Sequence, residues 1–367
     1  MLTDLRDRLV RFLPWRRRAL VLAGGGVTGG MYEVGALAAL DEGLVDFRVN
    51  GFDLYVGSSA GAVVTSLVAN GVRPGDLYQI LDEEREDPLN FHRGSVYHKG
   101  AFGAGVRNFA QFLWAVGKKA VTGFHLEWPD ILARSGGDMP AGFFSVAPLE
   151  AYLRAAFAAK GLPNRFGECR RPLLIPAIDV DRAERVVFGS PGWTEVPISE
   201  AVAASSAIPG FFEPVTIGGR DFMDGDVGHT GHADLAVQAG AATVVVVNPA
   251  VPLRVGSKDH PPVKRGGLYA IMEQAAHITS IRLLELALGE LRLRHPRVDF
   301  HLIQPDPVGS PMNVPSMGFE ASRAALRFGR TSVREWLKSR EAAPLRERFG
   351  GRPAATPAAA LPGASAG

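Results

Sequence analysis

FDLYVGSSAGAVVTSLVANG, residues 52–71, decides the fold of this chain. Leu54 to Val56 is short, apolar and bounded by Asp53 and Gly57, the pattern of a buried strand. From Ala60 to Ala69 the apolar residues recur at helical spacing and stop at Asn70-Gly71. Between the two, Gly57-Ser58-Ser59-Ala60-Gly61 must turn the chain abruptly. Strand, sharp turn and helix form one unit of a parallel sheet covered by helices. G-x-S-x-G in that setting lifts Ser59 onto a strained turn whose small neighbours leave it open to a substrate. The helix that follows, beginning at Ala60, aims its free N–H groups at negative charge developing there. A plainer reading is architectural: the two glycines allow close packing and a serine caps the helix.

The same grammar occurs upstream. Arg18 to Ala23 reads as a strand and Met31 to Asp41 as a helix closed by Gly43, with Gly35 and alanines on a closely packed face. The turn between them carries Gly24, Gly25 and Gly26, whose amides can converge on one oxygen as an anion-binding nest. Beside the Ser59 turn they would form an oxyanion site. Gly24, Gly26 and Gly29 also spell G-x-G-x-x-G, with Asp46 at the spacing of a ribose contact. Asp46 lies in a charged, poorly strand-like stretch, and a dinucleotide leaves the Ser59 turn unexplained. A purely architectural glycine turn also fits.

Further helices are expected over Pro74 to Leu81, Ser145 to Ala159, Ser199 to Ser206 and His232 to Ala241, then within Leu268 to Leu291 and Gly318 to Ser339. Strands are expected at Leu173 to Ala177, Arg185 to Phe188, Thr243 to Val247 and Val298 to Ile303. The fold class is α/β: one three-layer α/β/α domain over residues 18–350 with a mainly parallel central sheet. Residues 87–144 read as an irregular insertion or lid, whose apolar and aromatic residues (Phe109, Phe112, Leu113, Trp114, Phe124, Trp128, Phe143 and Phe144) are candidates for an acyl channel. Residues 351–367, rich in Pro, Ala and Gly, form a flexible tail.

Net charge is only +2, which gives no reason to expect nucleic acid as a partner. The single cysteine, Cys169, supports neither an internal disulfide nor a thiolate zinc site. Residues 1–17 are basic and amphipathic, with Leu2, Leu5, Leu9 and Phe12 at roughly helical spacing. That segment either packs on its own domain or makes transient contact with an anionic membrane surface. No signal-peptide pattern and no bilayer-spanning run is seen, so cytoplasmic residence with peripheral membrane contact is the expectation; non-classical export would leave little trace.

A nucleophile needs a base. MDGDVGHTGH, residues 223–232, offers three arrangements. Asp224 takes the Ser59 proton directly; His229 or His232 takes it with an aspartate as orienter; or Asp224, Asp226, His229 and His232 hold a divalent metal. Such loop clusters are more often hydrogen-bonded than metal-bound. Spacing alone does not separate Asp224 from His229.

GGGVTGG at 24–30, GSSAG at 57–61, ASSAIPGFFEPV at 204–215 and Asp224-Gly225, in that order, resemble the patatin-like phospholipase family. PAGFFSVAPLEAYL (140–153) and PLLIPAIDVD (172–181) look like its intervening elements, and the resemblance covers roughly Arg18 to Val247. It implies a patatin-like fold, a Ser59–Asp224 dyad without a catalytic histidine, and an oxyanion pocket from Gly24, Gly25 and Gly26, which the Ala60 amide would join. It also implies hydrolysis of fatty-acyl esters of phospholipids, lysophospholipids or neutral lipids through an acyl-serine, with no cofactor and no metal. A lipid acyltransferase using the same dyad and a non-catalytic lipid-binding protein are the rivals. Thr28 stands where the family usually has Arg or Lys, Asp226 where a second glycine is common, and Thr230 and His232 where Asn and Pro are usual. Asp226 is expected to raise the pKa of Asp224 by repulsion. Asp179 is expected only to anchor a strand end.

Overall fold

Along β1 (Arg17–Leu22), Leu20 and Leu22 join one apolar cluster while Ala19 and Val21 join another. Burial on both faces is what a strand between two helical layers requires. The computed structural model describes residues 17–44, 46–91, 141–252, 262–306, 312, 317 and 321–349. The expected N-terminal segment, most of the 87–144 insertion and the tail lie outside these residues.

After β1, the chain enters α1 (Gly26–Gly43), β2 (Leu54–Gly57), α2 (Ala60–Ala69) and α3 (Pro74–Asp82). It continues through α4 (Ala147–Lys160), β3 (Leu173–Asp179), β4 (Glu184–Phe188) and α5 (Ile198–Ser205). β5 (Val215–Ile217) and β6 (Arg220–Met223) precede α6 (Ala233–Gln238) and β7 (Ala241–Val247). α7 (Gly267–Arg294), β8 (Asp299–Ile303), α8 (Ser322–Trp336) and α9 (Ala343–Arg348) complete it.

The eight strands form one sheet in the order β5-β6-β3-β2-β1-β7-β8, with β4 also on β3. It is parallel from β3 to β8 and antiparallel where β4, β6 and β5 gather around β3. Residues of α1 to α5 and of α8 and α9 pack on one face, and residues of α6 and α7 on the other. The result is the expected α/β/α class.

Three differences matter for the site. α1 starts at Gly26, inside the glycine run, and not at Met31. The β5–β6 hairpin, joined by Gly218 and Gly219 at φ +59° and +76°, is absent from the expectations. Two consecutive positive φ values make a tight two-residue connection. The expected helix to Ala241 stops at Gln238, because Gly240 at φ +82° leads directly into β7.

β3 does the positioning. Its Pro172 carbonyl accepts from Tyr55 N–H of β2 (3.0 Å), and its Val180 N–H donates to Asp221 of β6 (2.9 Å). Residues an even number apart face the same edge of a strand, so β2 and β6 share one edge of β3. β2 runs with β3 and β6 against it. Their C-terminal ends therefore meet head-on near Pro176, midway between. Proline has no N–H to leave unpaired in that gap, and its carbonyl accepts from the Ser205 hydroxyl at 2.6 Å.

α8 crosses α1 through two glycines. A Cβ on Gly35 would lie 2.0 Å from the Leu326 carbonyl, and one on Gly329 would lie 2.2 Å from that of Tyr32. Backbone meets backbone at this crossing, so no side chain can swing away. Gly35→Ala is expected to lower stability by at least about 3 kcal/mol. Urea unfolding tests it; an unchanged midpoint would mean the helices do not cross this closely.

Candidate active site

Ser58 and Ser59 make the whole turn between β2 and α2. Ser59 sits at φ +51°, ψ −130°, a backbone state that costs a side-chain-bearing residue about 1–3 kcal/mol. Its neighbours over-determine that state. The Ser59 N–H donates to both the carbonyl and the hydroxyl of Ser205, each at 3.1 Å. Ser58 N–H donates to the Leu22 carbonyl (3.1 Å) and its hydroxyl to Asp226 Oδ1 (2.6 Å). A Cβ at Gly57 would lie 2.1 Å from Thr65 Oγ1, and one at Gly61 2.5 Å from the Leu22 carbonyl. Both glycines of G-x-S-x-G are therefore demanded by contact.

Asp224 follows β6 and is only 4% exposed. Its N–H donates to the Ala207 carbonyl (2.9 Å), and Gly225 N–H to the Ser205 carbonyl (3.3 Å). Ser205 thus holds the Ser59 turn and the Asp224 turn together. Oδ1 of Asp224 accepts from the Asp226 amide at 2.9 Å. The Ser59 hydroxyl is near enough to this carboxylate to pull its pKa down. Oδ2, however, is buried with no completed hydrogen bond among the described residues. Burial pushes the Asp224 pKa from 3.8 up to about 6, against the pull of the Asp226 amide and the Ser59 hydroxyl. Asp226 is pushed well above the usual carboxylate range, first by burial and then by the Asp224 charge. The expected repulsion is thus felt at Asp226, while burial is what raises Asp224.

His232 is buried, with Nδ1 3.3 Å from Arg185 Nη1 and Nε2 3.0 Å from the Gly225 carbonyl. A guanidinium only donates and a carbonyl only accepts, so these partners assign a neutral ring with its proton on Nε2. Burial and Arg185 push its pKa down to about 3. The one basic lone pair of the ring is spent on Arg185, which Asp234 grips at 3.0 and 2.6 Å. His232 therefore steadies the carbonyl next to Asp224. The exposed His229 stacks on it at 5.9 Å between centroids.

In the glycine loop, Gly24, Gly25 and Gly26 take φ of +75°, +112° and +67°, a run that only glycine sustains. Gly24 departs from its expected place in the oxyanion pocket: its N–H donates to Glu33 Oε1 at 2.9 Å. It serves instead as a spacer, since a Cβ there would lie 2.8 Å from the Ser59 Cβ. The amides of Gly25, Gly26 and Ala60 have no partner among the described residues. Gly26 and Ala60 line a pocket together with Ser59. Asp46 falls in the loop before β2 and not at a strand end, where a ribose contact belongs. Asp179 accepts from Arg182 N–H (2.9 Å) and Arg220 Nε (2.5 Å), anchoring the end of β3.

Sequence reasoning missed Glu33, Ser205 and Arg185. Glu33 had a signal, a lone acid inside the apolar run MYEVGALAAL, residues 31–40. It is fully buried, and burial lifts its pKa far above the carboxylate norm. Ser205 lay within the quoted ASSAIPG segment, but nothing in a strand–helix pattern tells that its hydroxyl bridges two turns. The pocket holds about 730 Å³ of atom-free space counted out to its open mouth, and its described walls are almost wholly apolar. Its walls come mainly from α1 to α4 and from the segment after α5. The aromatics proposed for that role lie outside the described residues except Phe143 and Phe144, and neither of these lines it.

The chain belongs to the patatin-like phospholipase family, whose model matches residues 20–236. An uncharacterised protein of Escherichia coli K12, YjjU, is 27% identical over 238 residues, or 63% of this chain and 51% of that protein. The chain thus spans about half the length of the curated relative it matches. Among solved structures, VipD from Legionella pneumophila is similar at 14% identity and a TM-score of 0.39, covering 88% of this chain and 67% of that one. ExoU of the Pseudomonas aeruginosa type III secretion system, solved with SpcU, is similar at 16% identity and a TM-score of 0.36, over 91% of this chain and 53% of that one. No helix among the described residues is long and apolar enough to cross a membrane.

A carboxyl whose pKa is raised by folding makes the native state bind an extra proton, so its contribution to stability is lost as pH rises through the folded value. For Asp224 the window runs from 3.8 to about 6. Asp224→Asn is expected to be more stable than the parent at pH 8 by on the order of 3 kcal/mol. The gap should close toward pH 4, as urea midpoints at the two pH values would reveal. A destabilised variant at pH 8 would contradict the burial cost.

Proposed function

We propose that this chain hydrolyses fatty-acyl esters of phospholipids, lysophospholipids or neutral lipids, with Ser59 as nucleophile and Asp224 as its base. One observation carries this: a serine on a strained turn, beside a buried carboxylate, opens into an apolar pocket with unpartnered amides next to it. Asp224 accepts the hydroxyl proton as Ser59 Oγ attacks the ester carbonyl. The amides of Gly25, Gly26 and Ala60 receive the charge forming on the carbonyl oxygen; removing one such donor costs about 3 kcal/mol of transition-state stabilisation. The proton on Asp224 passes to the departing alcohol, leaving acyl-Ser59. Water then attacks the acyl carbon, its proton going to Asp224 and on to Ser59 Oγ as the fatty acid leaves.

Fluorophosphonate should label the parent chain and fail to label Ser59→Ala. Asp224→Asn should lose at least about a hundredfold in kcat while its fold is kept. Failure to label folded parent protein, with detergent or liposomes present, would sink the proposal.

The base must be ionised to act, so kcat/KM on a soluble ester should fall tenfold per pH unit below about 6 and level off above it. His229→Asn should leave that limb in place. An acid limb near 4, or one removed with His229, would transfer the role of base elsewhere.

A further inference from the structure

The pocket beside Ser59 has a measurable depth. α1 and α2 follow neighbouring parallel strands and lie on the same face of the sheet, so they run alongside each other. Each lines the pocket with one stripe. From α2 come Ala60, Val63, Val64 and Leu67, and from α1 come Gly26, Val27, Gly30, Met31 and Val34. Positions three and four apart make a continuous face on a helix. Each stripe, Ser59 to Leu67 and Gly26 to Val34, covers nine residues and so eight residue rises. At the helical rise that is about 12 Å.

Among the described residues, α3 stands at the far end. Only four residues separate the end of α2 from the start of α3, so its first turn lies at the Leu67 end of the slot. Leu77 in that turn is buried, as are Leu67 and Leu81, and all three line the pocket. Ser206, Ile208 and Phe212 line it from the segment that follows α5, whose Ser205 clasps Ser59. The slot therefore runs from the nucleophile to a leucine floor between two helices.

An extended alkyl chain advances about 1.3 Å for each C–C bond of about 1.5 Å. A slot of about 12 Å takes roughly nine such bonds. We infer that this pocket is an acyl-length ruler that selects medium-chain acyl groups of about ten carbons, with Leu67 and Leu77 as its floor. It rests on Ser59 being the residue that is acylated. Shorter chains leave apolar wall exposed to water, and each missing methylene forfeits about 0.8 kcal/mol, a factor of about four. Longer chains meet the floor and must fold back or leave carbons outside.

Two measurements on the full chain test this. The first is kcat/KM on p-nitrophenyl esters from four to sixteen carbons. It should rise about fourfold per methylene to roughly ten carbons and then stop rising or fall. Leu67→Ala should move the optimum to longer chains by about two carbons or more. Val63→Phe, at a partly buried position midway along the slot, should move it to about six. The second is thermal stabilisation by free fatty acids of the same lengths, which needs no turnover and should follow the same order. A profile climbing steadily to sixteen carbons, or Val63→Phe leaving the order unchanged, would overturn the ruler. Length-dependent fatty-acid binding without fluorophosphonate labelling would keep the ruler and remove the Ser59 chemistry; labelling without length dependence would do the reverse.

Discussion

Two strands that end against each other are the constraint on which this molecule turns. β2 and β6 occupy the same edge of β3 in opposite directions, and neither can continue without colliding with the other. Both must leave the sheet near Pro176, one at Gly57 and the other at Met223. Each exit places one member of the proposed dyad one or two residues later. Ser59 and Asp224 are thus brought together by backbone register, before any side chain chooses a rotamer. The gap itself would leave a strand edge unpaired, a costly state in a buried sheet. Proline at 176 removes one donor, and Ser205 closes the rest by bonding to Pro176, Ser59 and Gly225 at once.

The same crowding loads the site with charge. Glu33 and Asp224 are buried carboxyls with the half-buried Asp226 beside them, and loss of water raises the pKa of all three. Glu33 and Asp224 each hold a backbone amide, of Gly24 and of Asp226, and Asp226 holds the Ser58 hydroxyl. Proteins keep strain and uncompensated burial where they serve a site and compensate in the scaffold around it. Here that scaffold includes the Gly35–Gly329 crossing of α1 with α8 and the Arg185–Asp234 grip behind His232.

What sequence reveals here divides by range. The Ser59 turn is legible because its causes are local: apolar run, glycine, serine, glycine, helical spacing. α2 has the bounds its residues predict, Ala60 to Ala69. The hairpin that delivers Asp224 is harder, since β5 has three residues and its strength lies in pairing. Yet Gly218-Gly219 between β-favouring residues is a hairpin signal, and it passed unread. Gly24 illustrates a subtler limit. Its residue type announces a glycine turn, but the direction of its N–H depends on Glu33, a full helical stretch away. The pocket is the least legible part. Val63, Leu67 and Leu77 have the spacing of ordinary core residues, and nothing local to them announces the space they line.

The head-on meeting also explains, on the proposed dyad, why an aspartate stands where many serine hydrolases use histidine. With the two turns clasped by Ser205, the proposed dyad would pass its proton directly, with no ring between hydroxyl and carboxylate. An exposed aspartate, with a pKa near 3.9, would be a poor base for a serine near neutral pH. Burial changes that. At about 6, Asp224 comes close to the affinity for a proton that an unperturbed imidazole has, about 6.5. The histidine that does lie close, His232, is driven the other way by the same loss of water and by Arg185, to about 3. One low-dielectric pocket thus exchanges the usual roles, because burial penalises whichever form is charged: it makes the acid more basic and the base less so.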